Sequence, residues 1–210
     1  MNNTTRGMVI IETRTLPNMH AVLSNHVKYT GWPLLIIHGD SNEEHVRKAA
    51  KFLPVEVEFH NIHENKLSSH DYNRLLGSIE FWEAMPWDKV LVFQTDSWLL
   101  RTGIEQYMQY DFIGAPLHHF MFPAMNGGLS LRDRAAMINI INRVNYEPNF
   151  GNEDIYFCRI LEMMSGKMPS KEIARSFSVE TIKGFGSFGV HALDKYQSEE
   201  DCKLILNQYK

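Results

Sequence analysis

Apolar residues fall in short runs through the first half of the chain. Met8–Ile11, Leu34–Ile37 and Val90–Phe93 are each continuously apolar and rich in β-branched residues, the pattern of strands buried on both faces. Val55–Phe59 instead alternates apolar with polar residues, which predicts a third strand nearer a sheet edge. Between these runs the apolar spacing changes to that of helices. Leu16–Val27 carries Met19, Val22, Leu23 and Val27 on one face and stops at Gly31. Asn42-Glu43-Glu44 opens a helix through Phe52, with its acids at the favourable N-terminus. Ser69–Trp82 presents Tyr72, Leu75, Leu76, Ile79 and Trp82 and predicts another. Strands alternating with helices in this way imply a parallel sheet wound by crossover helices, a plan that names no function.

The run at 90–93 ends abruptly in Gln94-Thr95-Asp96-Ser97. Ligands of open α/β sheets bind outside the carboxyl ends of the strands, so Asp96 stands where chemistry is expected. A carboxylate flanked by hydroxyls suits a hard cation such as Mg²⁺ or Mn²⁺. It equally suits an N-cap for a helix from Trp98 to Tyr110. Glu12-Thr13-Arg14 ends the first run at the same predicted edge.

The second half reads differently. Tyr110–Pro116 predicts a short strand, and Leu117–Pro123 an aromatic, histidine-bearing loop. Asn126-Gly127-Gly128 offers either a hairpin turn or backbone that another group can approach closely. Arg134–Val144 predicts a helix, and Glu153-Asp154 precedes another over Ile155–Met164.

Composition adds exclusions. A chain of 210 residues, 44% hydrophobic and 22% charged, is one ordinary globular domain without a low-complexity linker. A net charge of −4 provides no basic field for nucleic acid. Cys158 and Cys202 match no zinc or redox spacing and read as reduced thiols. No apolar run is long enough to span a bilayer, and the first residues lack a signal-peptide pattern, so a cytoplasmic protein is expected.

Five segments, taken in order, resemble the landmarks of GT-A-type glycosyltransferases, and especially a glycosyltransferase-like group of microbes and chlorella viruses. They are Phe93–Ser97, Tyr110–Pro116, Asn126–Arg132, Glu153-Asp154 and Phe188–His191. The resemblance implies a single GT-A-like α/β domain over 1–210, with a mixed, mostly parallel sheet flanked by helices. It further implies a nucleotide-binding half to about residue 100, an acceptor-binding half after it, and transfer of a hexose or deoxyhexose from a nucleoside diphosphate sugar, UDP first, to a glycan hydroxyl.

In that family an Asp-x-Asp element holds Mn²⁺ or Mg²⁺ against the donor diphosphate. Here Gln94 replaces the first acid, so Asp96 carries over as a metal ligand, with His191 matching the histidine that completes the site. Gln94 is left to contact ribose or a metal-bound water, and Thr95, between the two, is expected with them among the residues that bind the donor. Glu153-Asp154 matches the family's acidic pair, with Asp154 the base of an inverting reaction; helix capping is the competing role. Thr13 and Arg14 fall where the family holds uracil or ribose, with a structural salt bridge equally open for Arg14. Gly127 and Gly128 would face the donor sugar, and Asn126 its hydroxyls. The rings around His118, His119, Phe120 and Phe122 would offer an acceptor platform, or merely cover the far end of the sheet. Two rivals remain. One is a non-catalytic nucleotide-sugar-binding module. The other is a phosphohydrolase using Asp96, which neither a second acid at short spacing nor a lysine-bearing phosphate loop supports.

Overall fold

The computed structural model describes residues 5–118 and 120–207. Its first half follows the predicted alternation: β1 (Arg6–Ile11), α1 (Met19–Thr30), β2 (Leu34–His38), α2 (Glu43–Ala50), β3 (Val57–Asn61), α3 (Ser69–Leu76), α4 (Ile79–Ala84) and β4 (Lys89–Phe93). β5 (Ser97–Leu99), β6 (Phe112–Pro116), β7 (Met125–Asp133), α5 (Arg134–Arg143), α6 (Glu153–Met163), α7 (Lys171–Phe177), β8 (Ser178–Val179), β9 (Gly189–His191), α8 (Leu193–Tyr196) and α9 (Glu199–Asn207) complete it.

Six strands form the main sheet in the order β3-β2-β1-β4-β7-β6. The four strands of the first half are parallel, and β7 runs antiparallel between β4 and β6. This is the mixed, mostly parallel architecture expected. β2 and β4 are buried at every position, as continuous apolar strands must be, whereas β3 alternates and occupies the edge. β5, β9 and β8 make a small second sheet beyond the end of β4.

Two helix expectations fail, each for a local reason. The predicted helix over 69–82 is broken at Gly77-Ser78. Ser78 is extended, and its hydroxyl accepts from the Phe81 N–H at 3.3 Å to start α4 afresh. The break turns Trp82 fully inward, where its indole N–H donates to the Leu76 carbonyl at 2.7 Å. The helix allowed from Trp98 to Tyr110 does not form either. Ser97–Leu99 pairs with β9 instead, with Ser97 opposite His191, so Asp96 caps no helix and lies in the link between the two sheets. Asn126-Gly127-Gly128 is no hairpin turn but part of β7. Both cysteines are free. Among the described residues no helix is long and apolar enough to cross a membrane.

The arrangement ranks the strands energetically. Leu91 in β4 is fully buried, and Leu91→Ala should cost about 2–5 kcal/mol. Val57→Ala on the half-buried edge should cost well under half of that, as urea denaturation of the two variants would show.

Candidate active site

The turn after β4 is pinned from several sides. Gln94 continues the sheet, its N–H donating to the Gly128 carbonyl at 2.8 Å. Asn18 donates its amide to the Thr95 carbonyl at 2.9 Å, and the Ala192 N–H reaches the Asp96 carbonyl at 2.9 Å. Below the turn, buried His26 stacks on Phe93 and lies 3.2 Å from the Ser97 hydroxyl, which in turn donates to the Gln94 carbonyl. Burial pushes His26 down to about 4 and keeps it neutral.

On this platform three donor atoms converge, two from the turn after β4 and one from β9. His191 Nε2, at the end of β9, lies 3.2 Å from Asp96 Oδ1 and 3.2 Å from Gln94 Oε1. Adjacent ligands of a six-coordinate metal with bonds of about 2.1–2.3 Å stand roughly 3.0–3.3 Å apart, so this spacing fits a hard divalent cation. Among the described residues no cluster of three His, Cys, Asp or Glu side chains forms a complete metal site. Asp96, His191 and the Gln94 amide would therefore hold such an ion only together with oxygens from a ligand.

Cations surround the same carboxylate. Lys195 of α8 donates to Asp96 Oδ2 at 2.8 Å, leaving Oδ1 to His191. Partial burial opposes the Asp96 charge, but His191 and Lys195 outweigh it and hold the carboxyl well below the usual range. Burial also opposes charge on His191, yet Asp96 on one side and Glu180 on the other push the ring up to about 9. Arg14 stands close enough to Asp96 to interact with it, but its guanidinium forks onto Glu12 at 2.7 and 2.8 Å. It is a structural salt bridge and, at the same time, a positive group at the site's edge. Thr13 is buried, and its hydroxyl accepts from the Leu67 N–H at 3.1 Å, so the side chain ties down the loop before α3.

A second cluster lies across the backbone of β7. Arg132 is fully buried and forks onto Glu153 at 2.6 and 3.0 Å, enclosed by the rings of Trp82, Phe112 and Phe157. Glu153 is thereby occupied at both oxygens. Asp154, the next residue, accepts from the Gly127 N–H at 2.8 Å and the Ile155 N–H at 2.7 Å. A carboxylate has about four acceptor positions, so two remain. Burial, and then the neighbouring Glu153, push Asp154 up to about 7 against these donors and Arg132. Gly127 and Gly128 are the thin wall between the clusters. A Cβ at Gly127 would meet Arg132 at 2.6 Å and Glu153 at 2.8 Å, and one at Gly128 would meet His191 Nε2 at 2.2 Å. Their requirement is close approach, not an unusual φ.

Asn126 faces neither cluster freely. Its amide nitrogen donates to Glu180 at 3.3 Å, and its oxygen accepts from the Gly128 N–H at 2.6 Å. Phe120 and Phe122 sit 5.4 Å apart and line a small cavity of about 100 Å³ with Pro116, Leu117 and Met125. His119 lies outside the described residues. A larger, open cavity of about 480 Å³ is lined by His70, Arg74, Gly77, Tyr146 and Glu147, beside the segment that leads into α6. Sequence reading did not single out Arg132, Glu180 or Lys195. Arg132 stood in a quoted motif, and Lys195 follows His191 by four residues, but their partners lie far along the chain.

Residues 56–191 match the model of a family described as "Protein of unknown function (DUF5672)". No curated protein matches. Among solved structures, the apo form of mouse xyloside xylosyltransferase 1 superposes with a TM-score of 0.62 at 10% identity, over 92% of this chain and 99% of that one. The apo form of glycosyltransferase GlyE from Streptococcus pneumoniae TIGR4 gives 0.59 at 10% identity, over 93% of this chain but only 55% of GlyE. The chain thus spans about half of GlyE. These likenesses bear out the expected GT-A-like fold, while the kinship with chlorella-virus domains stays an expectation of the sequence.

The buried pair makes a stability prediction. Arg132→Leu alone should cost about 3–5 kcal/mol, because it strands Glu153 without a partner, and the double variant Arg132→Leu/Glu153→Leu should recover much of that loss in thermal denaturation.

Proposed function

The chain belongs to the DUF5672 family, and we propose that it is a glycosyltransferase moving a hexose or deoxyhexose from a nucleoside diphosphate sugar, UDP first, to a glycan hydroxyl. The observation that carries this reading is the convergence of Gln94, Asp96 and His191 at the carboxyl edge of β4, with Asp154 across two glycines. A fold shared with proteins named as glycosyltransferases supports it. The neighbour named for xylosyl transfer adds UDP-xylose to the donors worth testing.

Asp96, His191 and Gln94 are the residues that would hold Mn²⁺ or Mg²⁺ with the donor diphosphate. Such an ion supplies stabilisation of the charge that develops on the leaving nucleotide. Lys195, paired with Asp96, and Arg14, forked onto Glu12, are the cations nearest this carboxylate and would add to the attraction of a diphosphate. Thr95, nearly buried in the pinned turn, sets the spacing of Gln94 and Asp96 rather than reaching a ligand. Gly127 and Gly128, expected to face the sugar, are instead covered by Arg132 and Glu153 on one side and His191 on the other, so their part is to let those groups close on the strand.

Asp154 takes the proton of the acceptor hydroxyl as that oxygen attacks the anomeric carbon from the face opposite the nucleotide, inverting its configuration. A base near neutrality is well matched to this task, and the burial that raises Asp154 also excludes competing water. Glu153, clamped by Arg132, positions Asp154 and adds the like charge that raises it, so its part is indirect. The open cavity lined by Arg74, Tyr146 and Glu147 is one surface an acceptor would use, with the Phe120–Phe122 rings a second.

The test is calorimetric titration of UDP and GDP with and without Mn²⁺, on the wild type and Asp96→Ala. Metal-dependent UDP binding that disappears in the variant is the expected result. Binding indifferent to metal would transfer the diphosphate to Lys195 and Arg14, and no nucleotide binding would end the transferase reading. A pH profile provides a second prediction. Asp154 serves as a base only when ionised, so acceptor-dependent UDP release should plateau above about pH 7 and fall roughly tenfold per unit well below it. Asp154→Asn should lose on the order of 10²–10⁴-fold in rate on the plateau above pH 7, and the gap should narrow as the pH falls below it.

A further inference from the structure

Glu180 follows β8 and is 3% exposed, yet among the described residues no lysine or arginine pairs with it. A carboxylate in such a place is costly unless its surroundings answer it. Its Oε1 stands at an ion-pair distance of 3.5 Å from His191 Nδ1 and 3.3 Å from the Asn126 amide nitrogen, while its Oε2 and His191 Nδ1, both buried, have no hydrogen-bond partner. Its main-chain carbonyl is gripped by the Gln197 amide. These contacts close a circuit. Glu180 meets His191, His191 rests against Gly128 with no room for a Cβ, the Gly128 N–H donates to Asn126, and Asn126 returns to Glu180.

We propose that Glu180 is a positioning residue of this site, whose single buried carboxylate orients the His191 ring and the Asn126 amide together. A carboxylate 3.5 Å from Nδ1 favours a proton on that nitrogen, while Nε2 faces Asp96 and Gln94, the way outer carboxylates orient histidines that bind metals. The same oxygen fixes which end of the Asn126 amide faces Gly128. One side chain thereby links the cation-facing nitrogen to the start of β7. The inference rests on the transferase reading for its purpose, but not for its test.

Two variants of the full chain decide it. Glu180→Leu keeps the volume and removes the acceptor, and Glu180→Gln keeps an acceptor oxygen and removes the charge. Two readouts are taken: Mn²⁺ affinity by electron paramagnetic resonance with UDP present, and the exchange-protected Nδ1 proton of His191 by ¹⁵N NMR without metal. Melting temperatures show that each variant is folded. Wild type should show the Nδ1 proton, which Glu180→Leu should lose and Glu180→Gln retain. Mn²⁺ affinity should fall about 10–100-fold in Glu180→Leu and by less in Glu180→Gln. If Glu180→Leu does not fold, Glu180→Gln with wild-type Mn²⁺ affinity overturns the proposal. An Nδ1 proton absent from wild type, or unchanged in Glu180→Leu, overturns it as well. Wild type that binds no Mn²⁺ defeats the metal reading instead, and the Nδ1 proton still decides the role of Glu180.

Discussion

The structure turns on a steric constraint, the passage of the Gly127–Gly128 backbone between an imidazole on one side and a carboxylate pair on the other. No Cβ fits at either position. Because the strand is bare there, β4 and β7 can stay in register while His191 and Asp154 approach the same stretch of main chain. The second sheet exists to serve this approach. β9 pairs with β5 directly after Asp96, which delivers His191 to the end of β4.

Charge is arranged around that wall with opposite effects on its two sides. Asp96 faces His191 and Lys195 and is held as an anion, whereas Asp154 is buried beside Glu153 and raised toward neutrality. Environments that push two carboxylates apart in this way assign them different chemistry. The first is suited to binding, the second to moving a proton. Arg132 makes the division possible, since without it Glu153 would be an unpaired buried anion next to Asp154.

Much of this was legible in the chain. Continuous apolar runs marked β1, β2 and β4 because both sheet faces are covered, and alternation marked β3 because one is not. Asp96, His191 and Asp154 were named from short motifs, and the fold brings Asp96 to His191 with both glycines in the wall between His191 and Asp154. What pattern did not reveal was pairing over distance. Trp98 reads equally well in a helix or a strand until β9 is there to pair with it. Gly77-Ser78 looked tolerable within a helix until the Ser78 cap and the inward turn of Trp82 decided otherwise. Glu180 and Arg132 acquire meaning only through partners 11 and 21 residues or more away, His191, Asn126 and Glu153. Thr13, at a strand end like Asp96, was drawn into holding a loop.

The most direct test is a crystal structure of the chain grown with Mn²⁺ and UDP, with the metal located by its anomalous signal. The account predicts one strong peak bound by Asp96 and His191, with the diphosphate beside Lys195. A nucleotide seated away from the end of β4, or a metal bound without Asp96 and His191, would contradict it.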